Sequence, residues 1–218
     1  MKAYAEHISS GTADELSGLT LVGMQTLVGD ADNGGFVNFD LELDGGAKSF
    51  VFSPSDAEGN YVAGSNVSVN SLSFVTEEGE AGGPGPVVAD CEPGETAISF
   101  GLGETVVDGA TVDAKGLSGQ GGLDELNGLY GAQACIEFGV SNADSFGVGG
   151  CCDTARWLNV GSASGSDAQV WINLLDGDLV FKRVGGPSFN VNIKDGKHYT
   201  MKAYAEHISS GTADELSG

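Results

Sequence analysis

The sequence predicts an all-β chain folded as an antiparallel β-sandwich with little helix. Three observations carry this. Apolar and polar residues alternate in run after run, turn residues punctuate the runs, and helical spacing is confined to two short stretches. The first strand covers 19–28. Val37, Phe39, Leu41 and Leu43 then alternate with Asn38, Asp40 and Glu42. Further strands fall at 48–53, 67–75, 96–101 and 156–160. Within 67–75 the phase slips between Val67/Val69 and Leu72/Phe74, which predicts a bulge. Ala134, Ile136, Phe138 and Val140 form another alternating run, and Val170, Ile172 and Leu174 alternate with Trp171 and Asn173. Leu179 and Phe181 open the next. Turn signals lie at Asp44-Gly45-Gly46, Glu58-Gly59-Asn60, Pro93-Gly94, Asp108-Gly109, Asp176-Gly177 and Asp195-Gly196. The last separates Phe189/Val191/Ile193 from Tyr199/Met201/Ala203 and predicts a hairpin. Helical signals are the capping-box spacing Thr12 to Glu15 with Leu16 behind it, and one or two turns lined by Leu123, Leu126 and Tyr130.

A duplication sets the organisation. Residues 1–18 read MKAYAEHISSGTADELSG, and residues 201–218 are identical, an offset of 201 − 1 = 200. Met201 falls inside an alternating run and in phase with it, which favours a natural junction of a tandem array over a splice. A fainter echo links Gly11–Leu19 with Gly121–Leu129. It is read in two ways, as the trace of two related modules per period or as a chance match in a Gly-rich acidic chain. The first reading divides the chain into a sandwich module at 1–92, a second at 93–184, and at 185–218 the first strands of the next repeat or a strand donated between units. The acidic Gly/Pro stretch 77–86 lies near the first boundary and reads as linker or surface loop.

Composition excludes several functions. Nine Lys and Arg against 31 Asp and Glu give a net charge of −22. Such a surface repels phosphate and cannot release counterions, so nucleic acid is not the expected partner. Basic clusters for anionic lipid are missing, and no apolar run reaches the ~20 residues of a membrane span. Residues 1–7 carry no apolar leader signal, which fits a cytosolic chain or a piece of a longer secreted one. Three His, no G-x-S-x-G elbow, no P-loop and no H-E-x-x-H argue against an enzyme.

Binding candidates are few. Gly29-Asp30-Ala31-Asp32-Asn33-Gly34 places two carboxylates and an amide on one turn, a partial oxygen set for Ca2+. It departs from an EF-hand, with Gly34 at the fifth position and Leu41 at the twelfth, and it doubles as an ordinary Asp/Asn/Gly turn. Asp56-Ala57-Glu58, Asn142-Ala143-Asp144 and Asp176-Gly177-Asp178 are weaker versions. Calcium or no cofactor is therefore the expectation. The cysteines are Cys91, Cys135, Cys151 and Cys152. Neighbouring Cα atoms are ~3.8 Å apart, short for a bridge, so Cys151 and Cys152 are expected to pair with Cys91 and Cys135 or with another chain rather than with each other. Disulfides imply an oxidising compartment; four reduced thiols imply the cytosol. Trp171 lies opposite the aliphatic face of its strand. It is exposed for ligand stacking, alongside Trp157, if only that face is core, and it is covered if both faces of a central strand are buried.

Residues Asp195–Ala205 read DGKHYTMKAYA and resemble the D-G-x-Y-x-V-x-A strand of bacterial immunoglobulin-like and cadherin-like repeats. The resemblance covers this run alone. It implies extracellular sandwiches of large surface or fibre proteins, strung in arrays, often with calcium at module junctions; no ligand residue is carried over. With the jelly-roll as the other sandwich type, the expectation is a non-enzymatic structural or adhesive repeat unit, extracellular or at the cell surface. Its partners are copies of itself, joined head to tail with strand sharing. The alternatives are a glycan-binding module and a viral or phage structural protein.

Overall fold

A computed structural model describes residues 19–29, 36–59, 67–79, 91–99, 105–107, 110–112, 118–141, 145–152, 155–161, 169–175, 179–192 and 198–204. The strands are β1 (Leu21–Val28), β2 (Phe36–Ala47), β3 (Ser49–Ser55), β4 (Val67–Glu78), β5 (Glu95–Ser99), β6 (Thr105–Val107) and β7 (Ala110–Val112). Helix α1 (Gly119–Gln133) follows, and then β8 (Ile136–Ser141), β9 (Ser145–Cys152), β10 (Ala155–Gly161), β11 (Gln169–Leu174), β12 (Leu179–Asn192) and β13 (His198–Tyr204). One sheet has the order β1-β13-β3-β11-β8 and the other β2-β12-β4-β10-β9, with β5 also on β4; β6 and β7 form a small ribbon. Every pairing between these strands is antiparallel, so the predicted all-β architecture holds.

The two sheets bury the alternating apolar residues between them. Phe50, Phe52, Val170, Ile172, Ile136, Phe138, Met201 and Ala203 come from the first sheet, and Phe39, Val69, Leu72, Phe74, Phe181 and Val184 from the second. Phe39 meets Phe52 edge-on at 4.7 Å between ring centroids, and Phe181 does the same with Phe50 at 5.8 Å and Phe74 at 5.3 Å. Edge-to-face packing sets positive ring edges against negative ring faces, which fixes the register of one sheet on the other.

Four expectations need correction. The division at 92 and 184 does not describe this fold. The first sheet draws on 21–28, 49–55, 136–141, 169–174 and 198–204, and the second on 36–47, 67–78, 95–99, 145–152, 155–161 and 179–192, so strands from either side of both boundaries build one sandwich around one core. The hairpin expected across Asp195-Gly196 is absent, because β12 pairs with β2 and β4 whereas β13 pairs with β1 and β3. The chain changes sheets there, and both strands find their partners elsewhere. Asp44-Gly45-Gly46 is not a turn: β2 runs through it to Ala47. A β-carbon on Gly46 would lie 2.8 Å from Cβ of Val180, so this glycine permits close approach of β12. Finally, α1 has 15 residues rather than one or two turns. Packing of Leu123 and Leu126 into the core supplies the stability that Gly-rich local propensity lacks.

The bulge expected in 67–75 is present. Asn190 opposes Ser71 while its neighbour Val191 opposes Val69, leaving Asn70 as the extra residue. The signal at Glu58-Gly59 also marks a real turn, with Gly59 N–H donating to the Asp56 carbonyl, and Pro93-Gly94 is a bend whose Gly94 N–H donates to Thr76 Oγ1 on β4. β6 and β7 pair directly across residues 108–109. The helical signal at 12–16 lies outside the described residues.

Side-chain amides cover exposed backbone at the sheet margins. β8 closes one side of the first sheet, and Asn127 of α1 lies against it. Its Nδ2 donates to the Phe138 carbonyl and its Oδ1 accepts from the Phe138 N–H, each at 2.7 Å. The amide thus substitutes for a strand on an otherwise open edge. At the other side Gln25 of β1 accepts the Asp40 N–H of β2 at 2.9 Å, tying the marginal strands of the two sheets together. Replacing Asn127→Ala removes both of these hydrogen bonds and is expected to cost roughly 2 kcal/mol in urea unfolding. A midpoint equal to the parent's would show that water replaces the amide.

Candidate functional site

The duplicated segment enters the structure through β13. His198, Tyr199 and Thr200 end one period, and Met201, Lys202, Ala203 and Tyr204 are the first four residues of the copy. β13 lies inside its sheet, in register with β1 from Val28↔His198 to Leu21↔Tyr204, with one irregularity between Leu21 and Gly23. On its other side it matches β3 from Ser55↔His198 to Ser49↔Tyr204. Met201 and Ala203 point into the core among the phenylalanines. Thr200, Lys202 and Tyr204 alternate onto the opposite face, where Val51 and Trp171 are also buried yet stand apart from that core.

Polar groups fix this register. The Thr200 hydroxyl donates to Ser55 Oγ at 2.7 Å and lies 2.7 Å from Thr26 Oγ1, so a chain of hydroxyls crosses β1, β13 and β3. Lys48 N–H donates to the Tyr204 carbonyl at 2.6 Å, anchoring the last residue of the strand. Lys202 is 7% exposed and sits between Met24 and Val51. Burial pushes its ammonium below the ordinary lysine value, and the Asp56 carboxylate pulls partly the other way. Asp40 and Arg183 pair β2 with β12 on the surface, Nε to Oδ1 at 2.9 Å and Nη2 to Oδ2 at 2.6 Å. The hydrogen bond from Arg183 holds the Asp40 carboxyl below its usual value, but this pair is solvated and contributes little.

The other sequence candidates separate. Asp30, Asp32 and Asn33 lie outside the described residues, as do 142–144 and 176–178. Asp56, the weaker candidate within view, uses Oδ1 to accept the Glu58 N–H at 3.0 Å and so closes its own turn. No group of three metal-ligating side chains occurs among the described residues. Cys91 and Cys135 bond to each other, with Cα atoms 6.3 Å apart, so neither takes the expected partner at 151 or 152. The bridge ties the segment before β5 to Cys135, which lies between α1 and β8 in a left-handed conformation (φ 55°). Cys151 and Cys152 lie on β9, the marginal strand beside β10; Trp157 lies on β10 opposite Gly149.

Of the two alternatives for Trp171, the structure gives the covered one and not the exposed, ligand-stacking one. β11 runs between β3 and β8, both of its faces are covered, and Trp171 is 6% exposed. A β-carbon on Gly139 would overlap the indole ring, so the ring lies on that glycine and has no open face for a sugar. Its Nε1 has no hydrogen-bond partner among the described residues. Sequence reasoning missed Lys202, because its run predicts a half-buried strand with lysine outward. No known protein family, curated protein or solved structure matches the chain.

The buried ammonium gives the site a pH signature. The folded chain holds the Lys202 proton less tightly than the unfolded chain. Stability therefore rises as pH climbs through the lowered folded-state value towards the ordinary value of 10.5. Lys202→Met is expected to stabilise the protein by roughly 1 kcal/mol at pH 7. The gain over the parent narrows as pH approaches the ordinary lysine value. A gain that does not change with pH would mean that the ammonium reaches water.

Proposed function

We propose that the chain is a non-enzymatic structural or adhesive repeat unit of an extracellular fibre or cell-surface protein. Units follow one another head to tail and share a strand at each boundary. One observation carries this reading: four residues of an identical 18-residue copy lie buried in an internal strand of the preceding unit's sheet. A strand made from the end of one period and the start of the next couples neighbouring units through backbone hydrogen bonds and core packing. The Cys91–Cys135 bridge fits an oxidising compartment. The charge of −22 keeps a long array soluble and discourages lateral association.

The repeating unit is then phased by its sheets and not by the first residue of the sequence. A complete sandwich runs from β1 to the end of β13, residues 21–204, and 205–218 lead to the next β1. The native protein tests this. Limited proteolysis is expected to give a ladder spaced by one 200-residue period, with the peptide spanning His198–Lys202 recovered in near-equal amount to peptides internal to the unit. A native product of single-unit size would overturn the array.

A further inference from the structure

We propose that the boundary strand is transferable: the slot between β1 and β3 accepts either copy of the Met-Lys-Ala-Tyr segment, so one strand completes the unit before it or the unit after it, including a unit in a second copy of this chain. The inference rests on the array reading and names the partner of its shared strand. Residues 1–4 repeat 201–204 without change, so the side chains that fill the slot opposite Gln25, Met24, Gly23 and Leu21 are present in both copies. Nothing in the slot can distinguish them by chemistry.

Chain length permits both connections. Tyr204 pairs with Leu21, so a first copy in the slot would set Tyr4 beside Leu21, with residues 5–20 as the loop of a long hairpin. The second copy is joined to the fold from the other end, through residues 193–197 between β12 and β13. Sixteen residues against five changes the closure probability by about sixfold, a small bias towards the shorter link. In a polypeptide of these 218 residues alone a stronger bias would operate. His198, Tyr199 and Thr200 precede the second copy only, and with them come three more residues in register on each side and the Thr200 hydroxyl bonds. In an array each internal boundary strand has the full seven residues, and only the loop-length bias separates its two homes.

The surroundings direct exchange to this slot. Asn127 covers part of β8 and Gln25 bridges β1 to β2, so backbone at these margins is already engaged. An arriving strand gains more by replacing β13, where Met201 and Ala203 enter the core, than by lying against a margin.

The test uses the full chain with His-Tyr-Thr added ahead of Met1, giving both copies seven residues. Ala203 is fully buried in the core, so Ala203→Asp excludes the second copy and Ala3→Asp excludes the first. Each single variant is expected to unfold cooperatively within a few degrees of the extended parent. The double variant loses the transition, a non-additivity that independent sites do not show. Hydrogen exchange read by mass distinguishes the copies, because the Asp marks one of them, and protection should move to the unmarked copy. Size at low concentration then separates filling within a chain from filling between chains, and both outcomes support the proposal. An extended Ala203→Asp chain that melts like the double variant overturns transfer and leaves the array reading to the native ladder. Absence of the ladder overturns the array, whatever the variants do.

Discussion

The slot between β1 and β3 is the constraint on which the first sheet depends. Among the described strands β1 has no other ladder partner, and β3 reaches it only through β13. Remove β13 and the sheet separates into a lone strand and a three-stranded remnant, with a trench through one wall of the core. The phenylalanines Phe50 and Phe52 would lose Met201 and Ala203 from beside them. A hydrophobic wall of this kind is worth several kcal/mol, a large part of a domain's net stability. The strand that fills it runs from His198 to Tyr204 and so joins three residues ahead of the copy to the first four residues of the copy.

Backbone management makes that consequential. A sandwich with open edges polymerises sideways, through unpaired N–H and C=O groups. Here side-chain amides occupy such groups at two places, Asn127 on β8 and Gln25 towards β2, and the high negative charge opposes sheet-to-sheet stacking. The hydroxyl chain Thr26–Thr200–Ser55 and the buried Lys202 oppose slippage of β13, because a one-residue shift would turn these groups into the core. Lys202 costs stability at neutral pH and specifies a face.

Much of the fold was legible because alternation is a direct readout of a half-buried sheet. Leu41, Leu43, Ile172, Phe181 and Met201 each fall on the face their spacing indicates. What failed were inferences from local signals to long-range partners. Asp195-Gly196 has hairpin chemistry, yet β12 and β13 belong to different sheets. Asp44-Gly45-Gly46 has turn composition, yet Gly46 serves close packing against Val180. The two-module division failed because a short echo carries no information about pairing order. For the site, the duplication was visible at once, but that its residues complete an internal strand depends on the register with β1 and β3, which no local pattern encodes. For one reason Trp171 was left open between exposed and covered, and Lys202 was read as outward. Alternation gives the two faces of a strand and does not say whether the second face is also covered.

Amide hydrogen exchange over the peptide His198–Tyr204 tests the central claim most directly, since its first three residues distinguish it from the segment that opens the chain. The account predicts that its amides exchange only with global unfolding, alongside those of Phe50 and Phe52 on β3. Exchange at the rate of an unstructured terminus, with β3 still protected, would contradict it.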